Sequence, residues 1–198
     1  MNSLNLATSD RDYYSAKKTP ELKTFSKRMY LALSGIGDPS GPEFKNAIQC
    51  LYALAYGVRS ICKQQASNFV VPKLEALWWV CSENHFSEIP KSQWQWKLLI
   101  QMPEFVSSDI VEQAKMDVIK KAGEAVKEIG FESLSEGSCV QILHIGPYSE
   151  ELPTIQTMKA FISEHGLSEH GLHHEIYLSD PRKSPPERLK TILRQPVS

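Results

Sequence analysis

The sequence has little of what marks a specialised environment. Four cysteines (Cys50, Cys62, Cys81 and Cys139) are scattered through 198 residues, and no two form a Cys-x-x-Cys pair. Such spacing reads as reduced, packed thiols of a cytoplasmic protein, not as a disulfide scaffold or a zinc ribbon. Apolar runs are all too short for a membrane-spanning helix. The opening "MNSLNLATSDRDYYSAKK" has no apolar h-region, so no secretory signal is expected. Neither sign of charge dominates: 22 Lys and Arg stand against 23 Asp and Glu. That balance removes any general electrostatic case for nucleic acid or an anionic membrane surface. What is present is ordinary for a globular protein, with 41% hydrophobic and 23% charged residues. The length suffices for one good core, or two small modules sharing one.

Periodicity divides the chain. Residues 1–27 are polar and read as an arm draped over a single domain, 28–198, with Tyr13 and Tyr14 as its anchors. A strand from Met29 to Ser34 runs into the turn cluster "GIGDPSG". A long helix begins at Pro42. Its buried stripe is Phe44, Ala47, Ile48, Leu51, Leu54, Ala55, Val58 and Ile61, with Tyr52 and Tyr56 one turn apart beside it. "KLEALWWVC" is a strand, "SENHFSEIPKSQ" a polar loop, and "WQWKLLIQMP" a strand with Trp94, Trp96, Leu98 and Ile100 on one face. A helix capped at Ser107 or Ser108 is expected to run from Asp109 to Ile129 and close at Gly130. There follow a strand "SCVQILHIG", a turn "GPYSEELP", a helix "TIQTMKAFISEH", a strand "HHEIYLSD" and a last strand "TILRQPV". Between the last two, "SPPE" has the form of a capping box on a short helix.

The order strand, turn, helix, strand, strand occurs twice: repeat one at about 28–106, a linking helix at about 108–130, and repeat two at about 137–197. "SGIGDPSG" matches "LHIGPYSE", "KLLIQMP" matches "KTILRQP", and "EALWWV" stands where "HEIYLS" stands. The fold class is therefore α+β. Two strand-helix-strand-strand modules in pseudo-twofold array would form one antiparallel sheet with the repeat helices on one face. Equivalent aromatics would meet over a central cleft: Trp78 and Trp96 from the first half, Tyr148 and Tyr177 from the second.

One residue does not suit a sheet interior. Glu175 lies in the strand-forming run Glu175-Ile176-Tyr177-Leu178, and alternation puts it on the same face as Tyr177. From the strand pattern alone, a solvated carboxylate is the simpler reading. For each of Trp78, Trp79, Trp94 and Trp96 the simple reading is core packing, and alternation forbids Trp78 and Trp79 from sharing a face. Tyr52 and Tyr56 divide evenly between cleft and helix-flank packing. The spacing His170-x-x-His173 could hold a metal, but no Cys or second carboxylate joins it, so loop histidines explain it better.

"LHIGPYSEELPTIQTMKAFISEHGL", "HHEIYLSDPRKSPPERLKTILRQPV", "LYALAYGVR", "PKLEALWW" and "LLIQMPEFV" together resemble the GyrI-like small-molecule-binding domain family. More narrowly, they resemble its stand-alone subgroup of cyclopropanoid cyclopropyl hydrolases. The likeness covers nearly all of residues 28–197 and implies the duplicated strand-helix-strand-strand (SHS2) fold. It also implies a cleft that takes lipophilic or cationic compounds. Residue by residue, the family's cleft glutamate matches Glu175 and the tyrosine of that strand Tyr177. Its strand tryptophan matches Trp78, and the aromatics of the next strand and of the Ile-Gly-Pro turn match Trp96 and Tyr148. Tyr56 is a further ligand-binding candidate. Trp79 departs from the subgroup pattern. Many relatives carry a DNA-binding helix-turn-helix ahead of this domain; here a short polar arm stands in that place, so no direct nucleic-acid contact is expected.

The implied activity is hydrolysis of a strained cyclopropane in a DNA-alkylating xenobiotic, which protects the cell. The expected roles are Glu175 as base and Tyr177 or Tyr148 as donor to the oxygen that gains charge. No metal or organic cofactor is called for. The alternative is a non-catalytic protein that sequesters lipophilic cations with the same walls. A weaker third reading is a protein-interaction role.

Overall fold

The computed structural model describes residues 3–81 and 89–198. Most of the polar loop expected after Cys81 falls on residues 82–88, outside the described residues. In chain order the elements are α1 (Leu6–Ser9), β1 (Glu21–Phe25), β2 (Arg28–Ile36), α2 (Pro42–Gln64), β3 (Leu74–Trp79), β4 (Gln95–Met102), α3 (Ser108–Ala122), β5 (Gly130–Leu134), β6 (Gly137–Ile145), α4 (Leu152–Glu164), β7 (His173–Tyr177) and β8 (Lys190–Pro196).

The eight strands form one sheet, wholly antiparallel, in the order β1-β6-β8-β7-β3-β4-β2-β5. Read from the β7–β3 seam outward, each half repeats the same sequence: second strand, third strand, first strand, then a leading strand. The leading strands are exchanged. β1 precedes repeat one but pairs with β6 of repeat two, and β5 precedes repeat two but pairs with β2 of repeat one. This exchange ties the halves together at both outer edges. The sequence pattern did not reveal it, because β1 lies in the polar arm and β5 in the unassigned stretch between the expected helix and the strand after it. That helix ends early, at Ala122, because Gly123 takes φ +85°; a single 3-10 stretch, Glu124–Glu128, then leads into β5. Ser107 caps it as expected, its Oγ accepting from the Ile110 N–H. The "SPPE" box does not form: Pro186–Arg188 is a 3-10 turn without a side-chain cap.

The two Ile-Gly turns are equivalent in backbone as in sequence. Gly37 and Gly146 have φ of +130° and +144°, which favour glycine over any L side chain. Ladder partners fix the rest of the equivalence. Leu98 pairs with Ala76 and Leu33, and Leu193 pairs with Glu175 and Ile142. Gly35 is therefore equivalent to His144, Ala76 to Glu175, Trp78 to Tyr177 and Trp96 to Thr191. The match of "KLLIQMP" to "KTILRQP" needs correcting on this point. It aligns Leu98 with Thr191, two residues out of the register the ladders set.

α2 and α4 cover the same face of the sheet. The α2 stripe buries Phe44, Ala47, Leu51, Leu54, Ala55, Val58 and Ile61 against Leu31, Ala76, Trp78, Trp96, Leu98 and Ile100, while Ile48 is only half-buried. α4 sets Met158 and Ile162 on Val140, Ile142 and Leu193. α3 packs on α2, where Gly57 leaves room for Val118.

The opposite face is closed by the N-terminal arm over a charged core. His174 donates from both ring nitrogens, to Glu75 Oε2 at 3.0 Å and to Glu136 Oε1 at 2.8 Å. Arg194, in the corner that the perpendicular Phe25 and Tyr13 rings form, reaches Glu136 Oε2, Gln141 Oε1 and the Tyr13 carbonyl. Tyr13 donates to Glu75 at 2.5 Å and Tyr14 to Gln101 at 2.7 Å. Two carboxylates and two cations are thus buried with their partners, as buried charge requires.

Candidate active site

On the helix face, the β3–β7 seam brings the halves into contact. Trp78 Nε1 donates to Tyr177 Oη at 3.2 Å, and Tyr177 Oη donates to Glu175 Oε2 at 2.7 Å. Alternation along β7 puts Glu175 and Tyr177 on this face and sends His174 to the charged core behind. The Glu175 side chain is only 13% exposed, and its other oxygen faces His173 Nε2 at 3.7 Å. The cleft carboxylate is therefore not in bulk water. Burial first, and then the charge of Glu175, raises the Tyr177 hydroxyl well above its ordinary range, so it stays a donor.

The first half supplies an aromatic wall. Trp78 stacks on Phe44 (ring centres 5.5 Å apart), and Trp96 meets Phe44 edge-on at 5.2 Å. Trp94 sets its edge on Trp78 and donates Nε1 to the Ile89 carbonyl. Trp96 lies directly over Gly35, where a Cβ would come within 2.2 Å of the indole. Trp79, its neighbour's alternate, points to the other face, so the inward member of the pair is Trp78.

The second half supplies a polar wall. Tyr148 opens a 3-10 turn after Pro147 and meets Tyr177 edge-on at 5.6 Å. Its hydroxyl is pushed up to about 12 by burial and by Glu151, Glu175 and Asp180. His144 holds this turn: Nε2 donates to the Pro147 carbonyl, which leaves Nδ1 to accept from Thr154. Tyr56 sits apart, exposed on α2, 6.3 Å from Tyr52. Both tyrosines face the charged Asp180–Arg182 turn that links β7 to β8.

Sequence reasoning missed Glu151. It lies at the start of α4, 6% exposed, and adjoins both Glu175 and Thr191. Two carboxyls in contact away from water cannot both ionise. Burial and then the Glu175 charge raise Glu151 to about 10, so it carries the shared proton. The only sequence signal was an acidic pair before a helix, which a favourable helix dipole already explains. Thr191, fully buried, was read as an ordinary strand residue.

The walls touch one another in this structure. Trp78 and Trp96 are 7% and 3% exposed, and neither described cavity opens at Glu175. One is an ≈ 820 Å³ groove between α2 and α3, the other an ≈ 350 Å³ depression between β6 and α4. Tyr148 is the exposed ring of the site, at 39%, and Tyr56, apart from it, is 53% exposed. Among the described residues, no group of three or more His, Cys, Asp or Glu is placed to hold a metal ion.

Comparison with known proteins shows the family and the fold. The model of the GyrI-like small molecule binding domain matches residues 18–198. A conserved protein from Listeria innocua shares 36% identity over 99% of this chain and all of its own, with a TM-score of 0.92. Two structures of a hydrolase from the same organism share 35% identity, with TM-scores of 0.87 and 0.89. The first covers 99% of this chain, the second 100%, and each is matched over its whole length. Comparison with curated proteins finds no significant match.

Proposed function

The chain belongs to the GyrI-like small-molecule-binding family, and from that premise we propose that its cleft binds flat, lipophilic aromatic xenobiotics and adds water to a strained cyclopropane in them. The reading rests on one observation: a carboxylate enclosed by rings, beside a second carboxyl that holds a proton. Hydrolase relatives at 35% identity over the full chain support a reaction, not mere binding.

The chemistry follows from the two unlike walls. A planar substrate stacks on the Trp78 and Trp96 side once the walls, in contact in the ligand-free structure, separate to admit it. Suitable substrates carry a cyclopropane conjugated to a carbonyl. Water attacks a ring carbon and a new C–O bond forms. The strained C–C bond breaks, and its electron pair moves through the conjugated system onto the carbonyl oxygen. Glu175 accepts the proton lost by water. Tyr148, at the rim, donates a hydrogen bond to the oxygen that gains charge, which finally takes up one proton. Tyr177 has a different part, because its hydroxyl is committed to Glu175: it fixes the carboxylate. The net change is addition of one water.

The second reading is a binder without turnover. The acid wall facing an indole wall suits a lipophilic cation, through charge attraction and cation–π contact. The test is incubation with a cyclopropane-bearing alkylator and mass spectrometry of the small molecule. A gain of one water supports the hydrolase; tight binding with unchanged mass removes it and leaves the sequestering role.

A further inference from the structure

Five buried side-chain polar atoms lack a hydrogen-bond partner among the described residues, and one of them is an indole donor in the aromatic wall, Trp96 Nε1. Three indoles build that wall. Trp78 spends its N–H on Tyr177, and Trp94 spends its N–H on the Ile89 carbonyl. Trp96 is 3% exposed, so bulk water does not serve its N–H, and Phe44, which meets it edge-on, offers no lone pair. Buried donors are rarely left without an acceptor, because the loss of water is then not repaid. The sheet sets where this donor lies. Trp96 is the ladder partner of Trp78, one strand from the seam. Its six-membered ring lies over Gly35 of β2, on the far side, so the five-membered ring that carries Nε1 is the part nearer Trp78. Glu175 stands on β7 and Trp96 on β4, two strands apart, or about 10 Å across the sheet. That is the order of one conjugated ring with a hydrogen bond at each end.

We infer that the Trp96 N–H is a second donor, with Tyr148, to the carbonyl oxygen of the ligand, and that the cleft thereby selects flat aromatic ketones over hydrocarbons of the same shape. A ketone oxygen has two lone pairs, so both hydrogen bonds form at once. The separation of the walls that admits the ligand also brings an acceptor to this N–H. The bond strengthens when the strained C–C bond breaks, because the electron pair then rests on that oxygen. An indole N–H is a donor only and keeps its proton throughout, so Trp96 stabilises the charge and transfers nothing. The catalytic part of the inference rests on the hydrolase reading above; the hydrogen bond to a bound ketone rests only on the cleft.

The two parts are separated by experiment. The probes are fluorenone, a flat aromatic ketone, and fluorene, the same skeleton without the oxygen. Each is titrated into the wild-type protein while the assigned indole N–H signals are followed by NMR. Fluorenone is expected to move the Trp96 N–H signal downfield, and fluorene, which brings rings but no acceptor, to move it far less. W96F is expected to weaken fluorenone binding about fivefold and fluorene binding less than twofold. Fluorenone that shifts other indole signals but not that of Trp96, or fluorene that shifts it equally, overturns the inference and leaves the cleft standing. If neither compound shifts any indole signal, both fall. The wild-type titration decides the hydrogen bond even where W96F does not fold. For the catalytic part, kcat on a cyclopropane-bearing alkylator is expected to fall about a hundredfold in W96F. Wild-type kcat in W96F overturns that part. A wild type that adds no water to the alkylator counts against the hydrolase reading, while the titration still decides the hydrogen bond.

Discussion

Trp78 and Tyr177 occupy equivalent positions in the two half-domains and touch each other across the seam, indole N–H to phenol oxygen at 3.2 Å. One half contributes the flat apolar partner and the other the polar one, and the polar one in turn holds Glu175. Duplication has thus produced two unlike walls from one module. Tyr177→Phe removes an acceptor from Trp78 and a donor from Glu175. A loss of about 1.5–3 kcal/mol is expected from the bond to the charged group, measured by chemical denaturation. Unchanged stability would mean the chain of three side chains does not exist in solution.

Glu151 is held up to about 10, first by burial and then by Glu175. A carboxyl that must keep its proton gives a rate that falls as pH rises through about 10. Glu151→Gln cannot lose a proton, so this alkaline fall should vanish from the pH profile of kcat. A profile in the variant with the same alkaline fall would assign that limb to another group.

The charged core behind the sheet sets the pH range of stability. Burial alone would lower His174, but Glu136 and Glu75 outweigh it and raise it from 6.5 to about 9. Its contribution is complete below pH 6.5 and is lost as pH rises through about 9. Burial would raise Glu136, but His174 and Arg194 outweigh it and lower it from 4.5 to about 2. Its contribution is complete above pH 4.5 and is lost as pH falls through about 2. The charged core therefore contributes most between about pH 4.5 and 6.5 and less on both sides, and the protonated Glu151 adds a separate loss of stability as pH rises from 4.5 towards about 10. His174→Gln should cost about 3–5 kcal/mol near neutrality, because it strips buried carboxylates of their cation. The same variant should show a shallower decline in melting temperature between pH 6.5 and 9 than the wild type, the part that remains coming from the proton held on Glu151. A variant with the full wild-type decline contradicts the assignment.

Gly35 exists for Trp96. A methyl group there would meet the indole at 2.2 Å, against a ring already packed on Phe44. Gly35→Ala should cost at least about 1–3 kcal/mol and shift the tryptophan emission spectrum, since the ring must move. Wild-type emission and stability would place Trp96 elsewhere.

Much of this was legible in sequence, and the exceptions have physical causes. The α2 stripe could be read because helical spacing survives burial. The repeat showed because two Ile-Gly turns need the same unusual backbone. Glu175 could be placed on one face with Tyr177 because alternation in β7 is strict. The edge strands β1 and β5 were hidden because a strand with one polar face, or one following a glycine inside a helical pattern, carries no period of its own. Glu151 was hidden by a sufficient local explanation, an acid at a helix start. Thr191 was misplaced because "KLLIQMP" and "KTILRQP" match best in a register that the ladders do not use. The contact between Trp78 and Tyr177 depends on which strands meet at the seam, which no local pattern states.

The central claim is that one enclosed carboxylate performs the chemistry while the rings bind. Its most direct test is Glu175→Gln, measured twice on the same cyclopropane-bearing aromatic compound. Binding, followed by tryptophan quenching, should stay within a few-fold of wild type, and the gain of water, followed by mass spectrometry, should disappear. A variant that still adds water at the wild-type rate would contradict the account.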